Sequence, residues 1–171
     1  MSLRLVIESK KHPLMTSDFD ARMNEALEIL RQDSQWLLLE PFIHILRRNI
    51  PLYYLATLSP ATLADWTLRL FHFICTRKKN VKIEALPIGG RRFLVVTNSP
   101  DVRYLLDTLQ AIFDARSTKY RLVCHPVFGV QRDDGEIRNF TDLENPGTRE
   151  SLVLLEVDVD GSFNLKSLLR E

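Results

Sequence analysis

Several features that mark common classes of protein are missing from this sequence. Lysine and arginine together number 23 against 22 acidic residues, so the formal net charge is only +1. That balance lacks the basic excess with which proteins neutralise nucleic-acid phosphates, so we expect no nucleic-acid partner. No segment approaches the roughly 20 consecutive apolar residues that span a bilayer. The sequence therefore predicts a soluble, cytoplasmic protein with no membrane partner.

Cysteine and glycine are both scarce, with two and six residues in 171. Cys75 and Cys124 lie in apolar stretches and belong to no CxxC pair, which predicts small buried thiols in a reducing compartment. Gly89 and Gly90 separate two strand-like runs, whereas a phosphate-binding glycine loop must open a helix after a strand. The sequence thus contains no phosphate-binding loop, and we expect no cofactor within these residues.

Catalytic and metal-binding motifs are also missing. The four histidines lie far apart and form no HxxH or HExxH pattern, so the sequence predicts no metal site. Cys124 and His125 are the one pair that could suggest nucleophilic chemistry. On a strand, however, adjacent side chains point to opposite faces, so these two cannot readily share a proton. We expect no catalytic residue in this chain.

The first half of the sequence has helical periodicity. Residues 16–18 resemble a helix cap, and the following apolar residues recur three and four apart. Ser59 and Pro60 open another helix with a hydroxyl cap and a proline at the first helical position. The basic run at residues 77–79 suits the negative end of that helix and is interpreted as solvated. Residues 1–80 are predicted to form a helical N-terminal subdomain.

The pattern changes at residue 81, and residues 81–171 are predicted to form a second domain. Its expected elements are a hairpin (residues 81–86 and 93–97), a helix (99–113), a long strand with a return strand (120–130 and 136–140), a further strand (151–160) and a final helix that begins at residue 163. This order is that of a ferredoxin-like α+β fold, an antiparallel sheet with helices on one face.

That fold ordinarily ends with one more strand after the last helix. We expect the chain to be part of a longer polypeptide, and we hypothesise that residues 81–86 occupy the place of the missing strand. The hypothesis requires these residues to pair antiparallel with the strand that begins at Phe93.

The junction before the helix at residue 99 is the best candidate for ligand binding. Asp101 is expected in the first helical turn, where exposed backbone N–H groups and the helix dipole favour an anion. The candidate ligand-binding residues are Asn98, Ser99, Asp101 and Arg103. Simple helix capping is the alternative role for this junction.

Three stretches of the sequence resemble one family. Residues 54–64 are similar to the helix before the first ACT-like unit of large bacterial NAD-specific glutamate dehydrogenases. Residues 105–109 resemble "L-V-D-S-V" on the first ACT helix of that family. Residues 120–135 resemble its "hLIIHPVLRVRRDxxG" segment, and residues 150–152 agree as well. The ACT domain is a ferredoxin-like regulatory module of amino-acid metabolism.

The resemblance implies a specific role. The chain would be the non-catalytic N-terminal regulatory or assembly region of an enzyme that oxidatively deaminates L-glutamate to 2-oxoglutarate. NAD and the catalytic residues would belong to a part of the enzyme beyond residue 171. The resemblance also implies a homo-oligomer and an amino-acid effector. A free-standing amino-acid sensor is the alternative, and an RNA-binding ferredoxin-like module is a third option.

One departure from the family pattern falls in the candidate site. ACT modules that bind amino acids often contain D-x-P-G-L-L, in which glycine lets the ligand approach the backbone. In this sequence Arg103 stands at the proline position and Tyr104 at the glycine position. Tyr104 would crowd that approach, whereas Arg103 could pair with a ligand carboxylate.

Overall fold

The computed structural model describes residues 13–141 and 147–158, apart from the side chains of residues 13–18 and 89. Four helices come first: α1 (Pro13–Leu30), α2 (Trp36–Asn49), α3 (Leu52–Leu55) and α4 (Pro60–Cys75). They are followed by β1 (Lys82–Gly89), β2 (Arg92–Pro100), α5 (Leu105–Ala115), β3 (Lys119–Cys124), β4 (Val127–Asp133), β5 (Glu136–Thr141) and β6 (Thr148–Asp158). The predicted helix from residue 163 lies outside the described residues.

Of the two helix starts predicted from capping residues in the first half of the chain, one agrees with the structure and one does not. The backbone N–H of Thr62 donates to the Ser59 hydroxyl at 3.2 Å, and Pro60 is the first helical residue, so this predicted start is confirmed. The predicted cap at residues 16–18 is wrong, because those residues lie inside α1.

The sheet is antiparallel throughout. Its strand order is β1-β2-β6-β4-β5, and β3 also pairs with β6, on the same side as β4. With the helices this makes the predicted ferredoxin-like α+β fold with a helical N-terminal part. β1 pairs antiparallel with β2, from Lys82 opposite Asn98 to Leu86 opposite Leu94. The hypothesis that this segment pairs with the strand at Phe93 is confirmed.

The predicted strand over residues 120–130 is divided into β3 and β4. A register irregularity between Leu122 and Cys124 shifts the pairing with β6 by one residue. Tyr120 consequently packs on one face of the sheet, whereas Phe128 and Val130 pack on the other. The three side chains do not share a face, because a one-residue bulge reverses the alternation of side chains.

Both faces of the sheet are covered. On one face α5 packs against Val95, Val153 and Leu155. On the other face the N-terminal helices share a core with Leu152 and Leu154. Residues 152–155 of β6 are all 0% exposed, because both faces of that strand are covered. This explains the nearly continuous apolar run in the strand. We call α1, α2 and α4 the helical layer.

Candidate functional site

The strand–helix junction differs from the prediction. β2 continues through Ser99 and Pro100, and α5 begins only at Leu105. The Asp101 backbone N–H donates to the Arg149 carbonyl of β6 at 2.9 Å. The placement of Asp101 in a first helical turn is therefore wrong, because β2 keeps pairing with β6 as far as Pro100 opposite Glu150.

The four candidate ligand-binding residues have different environments. Asn98 and Ser99 are both 0% exposed, and as neighbours on a strand they point to opposite faces. The Ser99 hydroxyl donates to the Pro100 carbonyl at 2.8 Å. Asp101 forms an ion pair with Arg149 at 3.1 Å, and Arg103 is exposed. The structure thus points Asn98 and Ser99 to opposite faces, and a ligand at this junction stays a prediction.

Tyr104 has an unusual backbone conformation. It lies directly before α5 with φ +67°, in the left-handed region that favours glycine. Its side chain is 72% exposed. The ACT pattern quoted above has glycine at this position, and this chain adopts a left-handed backbone there with a tyrosine.

The carboxylate of Glu150 on β6 is a buried charged group, 0% exposed. Arg132 of β4 donates to it twice, from Nε to Oε1 at 2.6 Å and from Nη2 to Oε2 at 3.0 Å. Arg77, just after α4, donates from Nη2 to Oε1. Asn98 of β2 completes the set, from Nδ2 to Oε2 at 3.2 Å. We call these four residues the Glu150 cluster.

The donors of the Glu150 cluster are extensively satisfied. Arg77 also donates from Nε to Asn98 Oδ1 at 2.8 Å and from Nη1 to the carbonyls of Lys79 and Asn80. Arg132 also reaches the Ile74 carbonyl at 2.9 Å, at the end of α4. The cluster therefore ties the C-terminal end of α4 to three strands of the sheet.

Charge stabilises the ionised form of Glu150 despite its burial. Burial alone would raise the pKa of Glu150, but the hydrogen bond and charge of Arg132, the charge of Arg77 and the hydrogen bond from Asn98 together lower that pKa below its ordinary value. Each carboxylate oxygen of Glu150 accepts two hydrogen bonds, so the group has no free position for a substrate. We call it a structural joint, because its partners connect α4 to the sheet.

Sequence reasoning missed this joint. The run at residues 77–79 was interpreted as solvated, but the side chain of Arg77 is only 8% exposed. The signal that could have revealed it is the period-two alternation in β6, where Glu150 shares a face with the buried Leu152 and Leu154. A charged residue on a core-facing position requires a buried partner of opposite charge.

A second carboxylate, Glu156, lies at the opposite end of β6 on the same face. Arg92 of β2 contacts its Oε1 at 3.1 Å, and Arg121 of β3 contacts its Oε2 at 2.7 Å. We call these three residues the Glu156 cluster. Glu156 is 12% exposed, but the arginines are 55% and 53% exposed and border a cleft of about 670 Å³.

Both cysteines are free thiols, and Cys124 is buried as predicted, whereas Cys75 is only partly buried. Burial raises the pKa of Cys75 to about 11 and that of Cys124 to about 12, so both stay protonated at neutral pH. His125 points away from Cys124, and its Nε2 forms a hydrogen bond with the Ser151 hydroxyl at 2.8 Å. Burial lowers the pKa of His125. The pair does not form the Cys–His contact that nucleophilic catalysis needs.

The described residues contain neither a metal-binding cluster nor a membrane-spanning helix. Among residues 13–141 and 147–158, no group of three or more histidine, cysteine, aspartate or glutamate side chains is placed to hold a metal ion. Within the same part of the chain, every helix is too short or too polar to cross a membrane.

The sheet topology, the helix α5 between β2 and β3, and the edge strand β1 define an ACT-like α+β module. A model of the glutamate dehydrogenase ACT1 domain matches residues 42–170, about three quarters of the chain. The chain therefore belongs to the glutamate dehydrogenase ACT1 domain family. Searches of curated proteins and of solved structures returned no match. The match begins within α2, so it includes part of the helical layer as well as the sheet.

Proposed function

We propose that this chain is the non-catalytic N-terminal regulatory or assembly region of an NAD-dependent glutamate dehydrogenase. The enzyme as a whole would convert L-glutamate to 2-oxoglutarate in the cytoplasm, as a homo-oligomer. The observation that carries the proposal is the family match over residues 42–170. NAD and the catalytic groups would be supplied by residues outside this chain.

The site geometry supports a structural or regulatory role. The two buried or half-buried carboxylate clusters are each held by arginines, and the two thiols are protonated at neutral pH. The two carboxylates and the two thiols are therefore committed to charge pairing and packing. The Glu150 cluster joins the C-terminal end of α4 to the sheet, which makes it suitable for transmitting a contact between the N-terminal helices and the strands.

The first experiment determines the coding sequence downstream of residue 171. We expect a dehydrogenase core in the same reading frame. Deletion of residues 42–170 from that protein should change its oligomeric state or its response to amino acids, measured by analytical ultracentrifugation and steady-state kinetics. A stop codon directly after Glu171 would contradict the proposal and favour the free-standing sensor.

A second experiment addresses an amino-acid effector at the junction of Asn98, Ser99, Asp101 and Arg103. The melting temperature of the chain is measured with and without each amino acid. A ligand at about 100 times its dissociation constant should stabilise the protein by about 2.7 kcal/mol. Substitution of the exposed Arg103 by glutamine should abolish that stabilisation. If no amino acid shifts the melting temperature, assembly is the better supported role.

A further inference from the structure

The cleft beside Glu156 has the size and lining of a small-molecule site. Its volume of about 670 Å³ lies within the roughly 300–1,000 Å³ of typical ligand pockets. It opens between α3, the first turns of α4 and the sheet, and its apolar lining includes Trp66, Leu86 and Ile88. The Tyr54 ring also lines the cleft, with its centre 6.0 Å from that of Trp66.

The charges in this lining leave one positive charge in excess. The lining contains three arginines and two carboxylates. Arg69 pairs with Asp65 at 2.8 Å, so the excess belongs to the Glu156 cluster, where two guanidinium groups share one carboxylate. Burial, and then the charge of Glu156, raise the pKa of Tyr54, which is therefore neutral at pH 7. A bound monoanion would bring the lining to neutrality.

The guanidinium groups of the cleft retain donors for a ligand. A guanidinium carries five N–H donors. Within the described part of the chain, Arg92 and Arg121 each donate one hydrogen bond, to Glu156. Both are about half exposed on the cleft side, in contrast to Arg77 and Arg132 of the Glu150 cluster. Glu156 holds both arginines in place before any ligand arrives.

An aromatic surface lies next to these donors. The Arg121 guanidinium lies over the Tyr54 ring, with its carbon 5.6 Å from the ring centre. Trp66 lies beside Tyr54 in the same lining. A planar apolar group could contact these rings beside the guanidinium while an attached anion accepts hydrogen bonds from Arg121 and Arg92.

We propose that this cleft binds a small organic anion with a planar apolar portion, the anion on Arg92 and Arg121 and the plane against Tyr54. The site would exist whether or not the chain is part of a dehydrogenase. No part of it overlaps the strand–helix junction at residues 98–103.

Fluorescence of Trp66 provides a direct test. The chain has two tryptophans, so a Trp36→Phe variant leaves Trp66 as the single reporter inside the cleft. Four probes are titrated: benzoate, the neutral isostere benzamide, acetate and inorganic phosphate. We expect a saturable benzoate response, with the other three probes binding at least about tenfold more weakly because each lacks the charge or the plane.

An Arg121→Gln variant then tests the anion contact, with Arg138→Gln as its matched control. Arg138 is also about half exposed and pairs with Asp133 at 3.3 Å, in the β4–β5 hairpin. We expect Arg121→Gln to weaken benzoate binding by about tenfold and Arg138→Gln to leave it unchanged. Melting curves without probe confirm that both variants fold, and Arg92→Gln replaces Arg121→Gln if that variant does not.

Several outcomes would overturn the proposal. It fails if benzoate gives no saturable response at millimolar concentration, or if Arg121→Gln and Arg138→Gln bind benzoate equally. Equal binding of benzamide and benzoate removes the role of charge. Equal binding of inorganic phosphate and benzoate removes the role of the planar portion.

Discussion

Glu150 and Glu156 occupy the same face of the same strand, and each is held by two arginines, yet their surroundings differ. Glu150 is 0% exposed, and its arginine partners have side chains that are 8% and 13% exposed. The arginines of Glu156 are more than half exposed. Leu152 and Leu154 separate the two carboxylates by a fully buried stretch. The same chemical motif can therefore serve as an internal joint or as part of an open cleft.

The difference arises from the elements that supply the arginines. Arg77 follows α4 directly, and Arg132 reaches the Ile74 carbonyl at the end of that helix, so the helical layer closes over Glu150. Arg92 and Arg121 come from strands that flank β6 at its other end. There α3 and the start of α4 leave a cleft above the sheet.

The largest expected effect is the difference in unfolding free energy between neutralising Glu150 and neutralising Glu156. Glu150→Gln leaves two buried guanidinium groups without their counter-charge and should lower the free energy of unfolding by about 3–5 kcal/mol. Glu156→Gln should lower it by about 0–1 kcal/mol, because its arginines remain solvated. Urea denaturation of both variants measures the two values. Similar losses in the two variants would remove the distinction.

Replacing an arginine without changing its charge tests the geometry of each cluster. Arg132→Lys loses the fork that bonds both Glu150 oxygens and two carbonyls, so we expect a loss of about 1–3 kcal/mol in unfolding free energy. Arg121→Lys, its matched control, should stay within about 0.5 kcal/mol of the parent chain. If lysine is tolerated equally at both positions, the fork at Glu150 contributes nothing that a point charge cannot supply.

The pH dependence of stability tests the ionisation of Glu150. Because its folded pKa is lowered, its contribution is fully present above the ordinary glutamate pKa of about 4.3 and is lost as the pH falls through the folded pKa. The difference in unfolding free energy between the parent chain and Glu150→Gln should therefore shrink as the pH falls below about 4. Chemical denaturation from neutral pH into that range measures it, and a difference that stays constant would contradict the lowered pKa.

The smallest expected effect concerns salt. A double-mutant cycle between Arg121 and Glu156 should give a coupling of about 0.5 kcal/mol at low ionic strength, decreasing towards zero near 1 M salt. The corresponding cycle between Arg132 and Glu150 should change little, because water and ions do not reach a 0% exposed carboxylate. Equal salt dependence of the two couplings would show that the Glu150 cluster is solvated.

Local signals in the sequence predicted much of the fold. Serine and proline at residues 59–60 identified the start of α4, and alternation followed by a glycine pair identified the β1–β2 hairpin. The predicted turn was one residue out of place, because Gly89 belongs to β1 and residues 90–91 form the turn. The same serine–proline signal failed at residues 99–100. There β2 continues, because pairing with β6 satisfies its backbone groups and the helix waits until Leu105. Tertiary pairing outweighed a local preference.

The candidate sites depended on contacts that sequence spacing does not contain. Arg77 and Glu150 are 73 residues apart, and a run of basic residues gives no indication that one member turns inward. Asn98 was selected as a ligand-binding residue, but its side chain bonds Glu150 and Arg77. The resemblance at residues 120–135 and 150–152 included Arg132 and Glu150, although nothing in one sequence connects them.

Amide hydrogen exchange provides the most direct test of the claim that the Glu150 cluster joins the helical layer to the sheet. If the cluster acts as a joint, the slowest amides of α4 and of β6 should exchange with the same opening free energy, as one cooperative unit. In Glu150→Gln the α4 amides should then exchange faster than those of β6. Exchange of α4 at a much lower opening free energy than β6 in the parent chain would contradict the claim.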